Sequence, residues 1–183
     1  MSILSIRLRS VVFALTLALI TTASAQTQAP QPAKDVLDAA LKTAKAEQKN
    51  VLIHFGASWC TYCKQLDAML ESAQLSKLFH DNYVIMHLTI QERPDKVAME
   101  NPGAQELANA AGAKGQGIPI YIFFDGAGNR LATSMAMPDG GNIGHPVTPQ
   151  EIIAFDGLLK KTAPRMTAAQ RKQVSDYLAN QKK

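Results

Sequence analysis

Apolar positions along this chain recur in two rhythms. Val36, Leu37, Ala40, Leu41 and Ala44 fall at helical spacing, with Asp35 in the opening turn, which predicts an amphipathic helix over Asp35–Gln48. Val51–Phe55 (VLIHF) is apolar except for His54, the pattern of a short buried strand. Tyr62–Ser72 has helix-forming composition, and Leu75–His80 continues it as a second short helix. Tyr83–Ile90 (YVIMHLTI) predicts another strand. Gln91–Asn101 is charged and irregular, and Ala104–Ala111 is alanine-rich and helical, closed by Gly112. Ile120–Phe124 (IYIFF) and Arg130–Ala136 read as two strands joined by Asp125–Asn129, whose residues tolerate the positive φ of a hairpin turn. A loop rich in Gly and Pro, Pro138–Pro149, precedes a helix over Gln150–Lys161. A last helix runs to about Gln181 with Thr167 as its N-cap. Helices alternating with strands in this order predict the α/β class, a mixed sheet with helices on both faces.

The first residues follow neither rhythm. Arg7 and Arg9 precede ten uncharged residues, Val11–Ile20, and then Ala23-Ser24-Ala25. This is the layout of a secretory signal peptide over 1–25, cut before Gln26. Even stretched to Ala25, the apolar run falls short of the roughly 20 residues that span a bilayer. The expectation is an exported, periplasmic protein with no membrane segment after cleavage. Residues 26–33 read as a polar, proline-punctuated leader, and 34–183 as a single domain.

With 183 residues, 46% hydrophobic and 19% charged, the composition is that of a globular chain. Loss of Arg7 and Arg9 takes the 19 Lys+Arg to 17 against 15 Asp+Glu. No basic stripe remains, which argues against a nucleic-acid partner.

Cysteine usage changes the picture most. Only Cys60 and Cys63 are present. A ring closed over so short a loop removes little unfolded-state entropy, so the pair is better explained as reactive than as a staple. Trp59-Cys60-Thr61-Tyr62-Cys63-Lys64 follows a strand and opens a helix, whose N-terminus favours a thiolate. Cys60 is then the attacking nucleophile and Cys63 the resolving thiol. A lone C-x-x-C is also half a zinc site. Neither a second C-x-x-C nor an H-x₃₋₅-H accompanies it, and the aromatic residue before Cys60 in a βαβ setting reads as redox.

These residues resemble the thioredoxin superfamily. Phe55–Lys64 looks like its active-site stretch and Asn101-Pro102-Gly103 like the start of its next helix. Gly117-Ile118-Pro119 resembles its cis-proline loop, and Phe123–Gly128 its final hairpin. The resemblance implies a three-layer α/β/α sandwich with an extra C-terminal helix. It implies a cis Ile118–Pro119 bond that leaves backbone beside Ile118 for an extended substrate and keeps metal ions from the sulfurs. It also implies exchange with protein thiols and disulfides, no organic cofactor, and a redox partner that recycles the pair. A monomer is the default. An alternative is a non-catalytic scaffold of the same fold that binds zinc, copper or a client.

The chain departs from the family at two positions. His54 lies six residues before Cys60, where thioredoxins carry a buried Asp, and His87 falls where its partner Lys would be. Two readings stay open: hydrogen-bonded core histidines, or a His54 that takes over proton transfer for Cys63. A cationic His54 would instead make the couple more oxidising. Thr61-Tyr62 matches neither the Gly-Pro of thioredoxins nor the Pro-His of strong oxidases, which leaves the direction of electron flow open between reductase or isomerase, slightly favoured, and oxidase. His145 reads as a solvated loop residue, with a contribution to a substrate surface the sharper alternative. Met135 and Met137, alternating on one strand face, read as core packing, with copper binding the sharper alternative.

Overall fold

A computed structural model describes residues 29–181; the expected signal peptide over 1–25 and the first three residues of the expected leader lie outside them. Six α-helices and four strands follow in the order α1 (Ala33–Glu47), β1 (Asn50–Gly56), α2 (Thr61–Leu70), α3 (Ser76–Asn82), β2 (Tyr83–Thr89), α4 (Ala104–Ala108), β3 (Ile120–Phe124), β4 (Arg130–Thr133), α5 (Pro149–Thr162) and α6 (Ala168–Ala179). A 3-10 segment, Pro94–Met99, precedes α4, and a single π turn, Asn109–Ala113, follows it.

The sheet has the order β2-β1-β3-β4, with β1 parallel to β2 and antiparallel to β3. Side chains alternate across it. Val51, Ile53, Phe55, Leu88, Ile120 and Ile122 bury against α1 and α4. Leu52, Tyr83, Tyr121 and Phe123 bury on the other face, against α2, α3, α5 and α6. Helices on both faces of a mixed sheet make the expected three-layer sandwich. Each fully buried large side chain contributes about 1.5–3 kcal/mol, so the two apolar layers hold β1, which carries the site, from both sides. No helix among the described residues is long and apolar enough to cross a membrane.

Local signals explain the boundaries. Asp125 Oδ1 accepts from the N–H groups of Ala127 and Asn129, and Gly128 takes φ 87°, which closes the β3–β4 turn. Thr148 with Glu151, and Thr167 with Gln170, form capping boxes that start α5 and α6. α1 starts at Ala33, earlier than the apolar spacing suggests, because the Ala33 N–H is held by the Pro102 carbonyl.

Three expectations need correcting. β4 ends at Thr133 rather than Ala136: the Ser134 hydroxyl accepts from Tyr121 N–H and the Ser134 carbonyl from Ile143 N–H, which turns the ladder towards the next loop. Met135 and Met137 therefore do not share a face; Met135 packs with the α1 layer and Met137 with the α5 layer. His145 is not solvated. It is 3% exposed, with Nε2 2.6 Å from Gln181 Oε1 at the end of the chain's last helical stretch.

Candidate active site

Cys60 is the N-cap of α2. Its backbone is extended (φ −80°, ψ 109°), and its sulfur accepts the Cys63 N–H at 3.0 Å. The first turn of a helix has unpaired N–H groups and partial positive charge, and here one of them, from Cys63, meets a sulfur. Cys60 and Cys63 are joined as a disulfide with Cα atoms 5.3 Å apart. Both are nearly buried, at 4% and 1% exposure, while Trp59 and Tyr62 beside them stand exposed. The nearly buried Cys60 is thus flanked along the chain by two exposed aromatics.

The Ile118–Pro119 peptide bond is cis. Ile118 packs on Ala57, Cys60 and Cys63, and its carbonyl oxygen lies 3.7 Å from Cys60 Sγ. Asn142, from the long loop before α5, donates to the carbonyls of Gly117 and Pro119 at 2.7 and 3.0 Å. That loop thus braces the proline from behind. A cleft of about 270 Å³ runs beside it, lined by Tyr62, Ile118, Pro119, Ile143 and Val147 among others.

Beneath Cys63 the sheet brings together the two histidines. His54 and His87 are register partners on β1 and β2, with ring centroids 4.6 Å apart in an edge-on arrangement. Gly56 lies two residues further along β1, and a Cβ there would come within 3.0–3.2 Å of Cys63 Cβ and Sγ and of His87 Cε1. The missing side chain is what lets His87 and Cys63 approach across the strand. Asp67, on α2 one turn beyond Cys63, completes the group: its Oδ1 is 3.4 Å from His54 Nε2 and 3.9 Å from His87 Nδ1. Sequence reasoning missed Asp67. The signal was there, since residues four apart on a helix share a face.

Burial pushes the His54 imidazole down to about 4, helped by neighbouring His87 and opposed by Asp67. Burial pushes Asp67 up, but the nearby His87 and His54 imidazoles outweigh it and leave the carboxyl below its usual range. At neutral pH His54 is therefore neutral, and no fixed positive charge from it sits under the sulfurs. Its Nδ1 is buried without a partner. With Nε2–H directed at Asp67, that nitrogen carries a free lone pair, which costs less than a buried, unpaired N–H would. One atom each from His54, Asp67 and His87 lie within 4.8 Å of one another, close enough to face a common cation.

On the Cys60 side, sequence reasoning also missed Glu92. Both oxygens of its buried carboxylate accept from Ser58, one from the backbone N–H at 2.6 Å and one from the hydroxyl at 2.9 Å. Trp59 Nε1 donates to the Gln91 carbonyl at 2.8 Å.

The sequence profile of the family described as thioredoxin-like matches residues 32–126, just over half of the chain. The chain belongs to the thioredoxin-like family. Among curated relatives, a protein disulfide-isomerase of Triticum aestivum is 27% identical over 149 residues, 81% of this chain but 24% of that protein. The chain thus spans about a quarter of the relative's length. Among solved structures, a disulphide isomerase from Xylella fastidiosa Temecula1 is similar at 20% identity, with a TM-score of 0.47 over 88% of this chain and 97% of that one. A structure described as DsbH oxidoreductase gives 20% identity and 0.45 over 84% and 95%. A thioredoxin from Thermus thermophilus gives 23% and 0.39 over 58% and 75%.

Proposed function

We propose that this protein is an exported thiol–disulfide oxidoreductase that exchanges disulfides with protein substrates, in the reducing or isomerising direction. The observation that carries the reading is the Cys60–Cys63 disulfide at the N-terminus of α2, beside a cis proline and flanked by exposed Trp59 and Tyr62. Residues 1–25 direct export to the periplasm and are removed. The chain from residue 34 onward acts as a single domain and a monomer, recycled by a redox partner protein. No organic cofactor takes part.

In the reducing direction, the Cys60 thiolate attacks one sulfur of a substrate disulfide. The Cys60–substrate bond forms, the substrate's S–S bond breaks, and one substrate thiolate leaves. Cys63 then loses its proton and attacks Cys60 Sγ. The Cys60–Cys63 bond forms and the second substrate thiolate departs, so two electrons have passed from the protein to its substrate. A dithiol partner restores the starting state. Backbone beside Ile118 and Pro119 aligns the incoming chain.

His54 takes the Cys63 proton, with Asp67 fixing its orientation and His87 leading the proton towards solvent. Burial holds the His54 imidazole well below its usual range, so taking a proton from a thiol is uphill, and His54 serves as a transient carrier rather than a resting site.

Equilibration of the mature protein in glutathione buffers tests the reading. A reversible two-electron couple is expected, at a potential closer to about −270 mV than to about −120 mV, the reducing and oxidising ends of such proteins. A value near about −120 mV would reverse the direction proposed. No reversible couple, together with a stoichiometric zinc or copper ion on the purified reduced protein, would overturn the reading in favour of a metal-binding scaffold.

A further inference from the structure

The turn that delivers Cys60 to the helix is clasped from outside by a segment that runs from Ile90 to Glu100. Gly56 O accepts from Ile90 N–H at 2.8 Å, and Gln91 turns through a positive φ of 55°. That turn presents the Gln91 carbonyl to the Trp59 indole and the Glu92 side chain to Ser58. The Glu92 backbone N–H is in turn held by Glu100 Oε1 at 2.7 Å. From the other side, Lys96 Nζ donates to the Ser58 hydroxyl at 3.4 Å. Ser58 Oγ therefore accepts from a lysine and donates to a buried carboxylate, two residues before the nucleophile.

A surface loop could satisfy the Ser58 N–H with water. Burying a carboxylate is costly unless hydrogen bonds satisfy it, and here both oxygens are used on a single residue of the active-site turn. A negative charge held there opposes the positive end of α2. It destabilises a thiolate at Cys60 and, with it, the reduced form of the pair.

We propose that Glu92 is a positioning residue for Cys60, locking the Ser58–Trp59 turn and biasing the disulfide couple towards stronger reduction, with Lys96 as its opposing charge. This rests on the redox reading of Cys60 and Cys63. Glu92→Gln keeps the clasp, because the amide oxygen still accepts from Ser58 N–H and the amide nitrogen can donate to Ser58 Oγ, while the charge is lost. Lys96→Gln removes the positive charge alone.

The glutathione equilibrium constant of the intact mature protein, read at pH 8, tests the proposal. Glu92→Gln is expected to stabilise the reduced form about three- to tenfold, about 15–30 mV towards the oxidising side. Lys96→Gln is expected to shift the equilibrium the opposite way by a smaller factor, and the double variant should return towards the wild type. A purely structural clasp would not give opposite signs. No shift in Glu92→Gln, or shifts of the same sign in both single variants, would overturn the inference. A wild-type protein with no reversible couple would instead overturn the redox reading itself, so the two failures are distinguishable.

Discussion

Cys60 and Cys63 share one bond, yet the two sides of the site that hold them are built from unlike parts. On the Cys60 side the surroundings are main chain and fixed hydrogen bonds: the N-terminal N–H groups of α2, the Ile118 carbonyl, and the Glu92–Ser58 clasp. On the Cys63 side they are titratable side chains packed into the sheet: His54, His87 and Asp67. The first arrangement sets where a sulfur sits and how readily it carries charge. The second can move a proton. An attacking sulfur needs the first and a resolving sulfur needs the second, and this contrast is what supports the roles proposed for Cys60 and Cys63.

Substitutions confined to one side should therefore disturb one step and spare the other. His54→Gln is expected to slow release of a mixed disulfide about a hundredfold while leaving the rate of attack by Cys60 close to wild type, as read by rapid-mixing kinetics on a disulfide peptide. Equal slowing of both steps would dissolve the comparison.

The same histidine should appear in stability. Unfolded, it takes up a proton near 6.5; folded, not until about 4. Between those values the unfolded chain binds more protons, so stability falls as pH falls through the window, by up to about 3 kcal/mol. Asp67, held below its usual range, adds to the loss only at still lower pH. Denaturant titrations at pH 7 and pH 4.5 should show this drop in the wild type and a shallower one in His54→Gln.

Gly56→Ala should cost about 1–3 kcal/mol, since the added methyl meets Cys63 and His87 at 3.0–3.2 Å. An effect of similar size is expected from Ser58→Ala. Losing one hydrogen bond to a carboxylate should destabilise by about 1.5–3 kcal/mol at most, with a change in Trp59 fluorescence but no change in the rate of mixed-disulfide release.

What was legible in the sequence follows the range of the interactions involved. Cys60, Cys63, Trp59 and Pro119 sit in short motifs whose chemistry is local, and their placement after β1 and before β3 could be read from apolar spacing. His54 and His87 were found only through their offsets in the resemblance, and their meeting depends on the parallel register of β1 and β2. Asp67 was within reach, four residues beyond Cys63 on the same helix face. Glu92 was not: it lies in a charged, irregular stretch and meets Ser58 across 34 residues through a backbone turn that no residue pattern announced. His145 was illegible for the same reason, because its hydrogen-bond partner, Gln181, lies 36 residues away.

Whether the two sulfurs have separate tasks can be read from a pair of serine variants mixed with a disulfide-containing substrate protein. Cys63→Ser should accumulate a covalent mixed disulfide through Cys60, visible by mass spectrometry and cleaved by reductant, while Cys60→Ser should give none. Trapping of comparable amounts by Cys60→Ser, through Cys63, would mean that the two sulfurs share the attack.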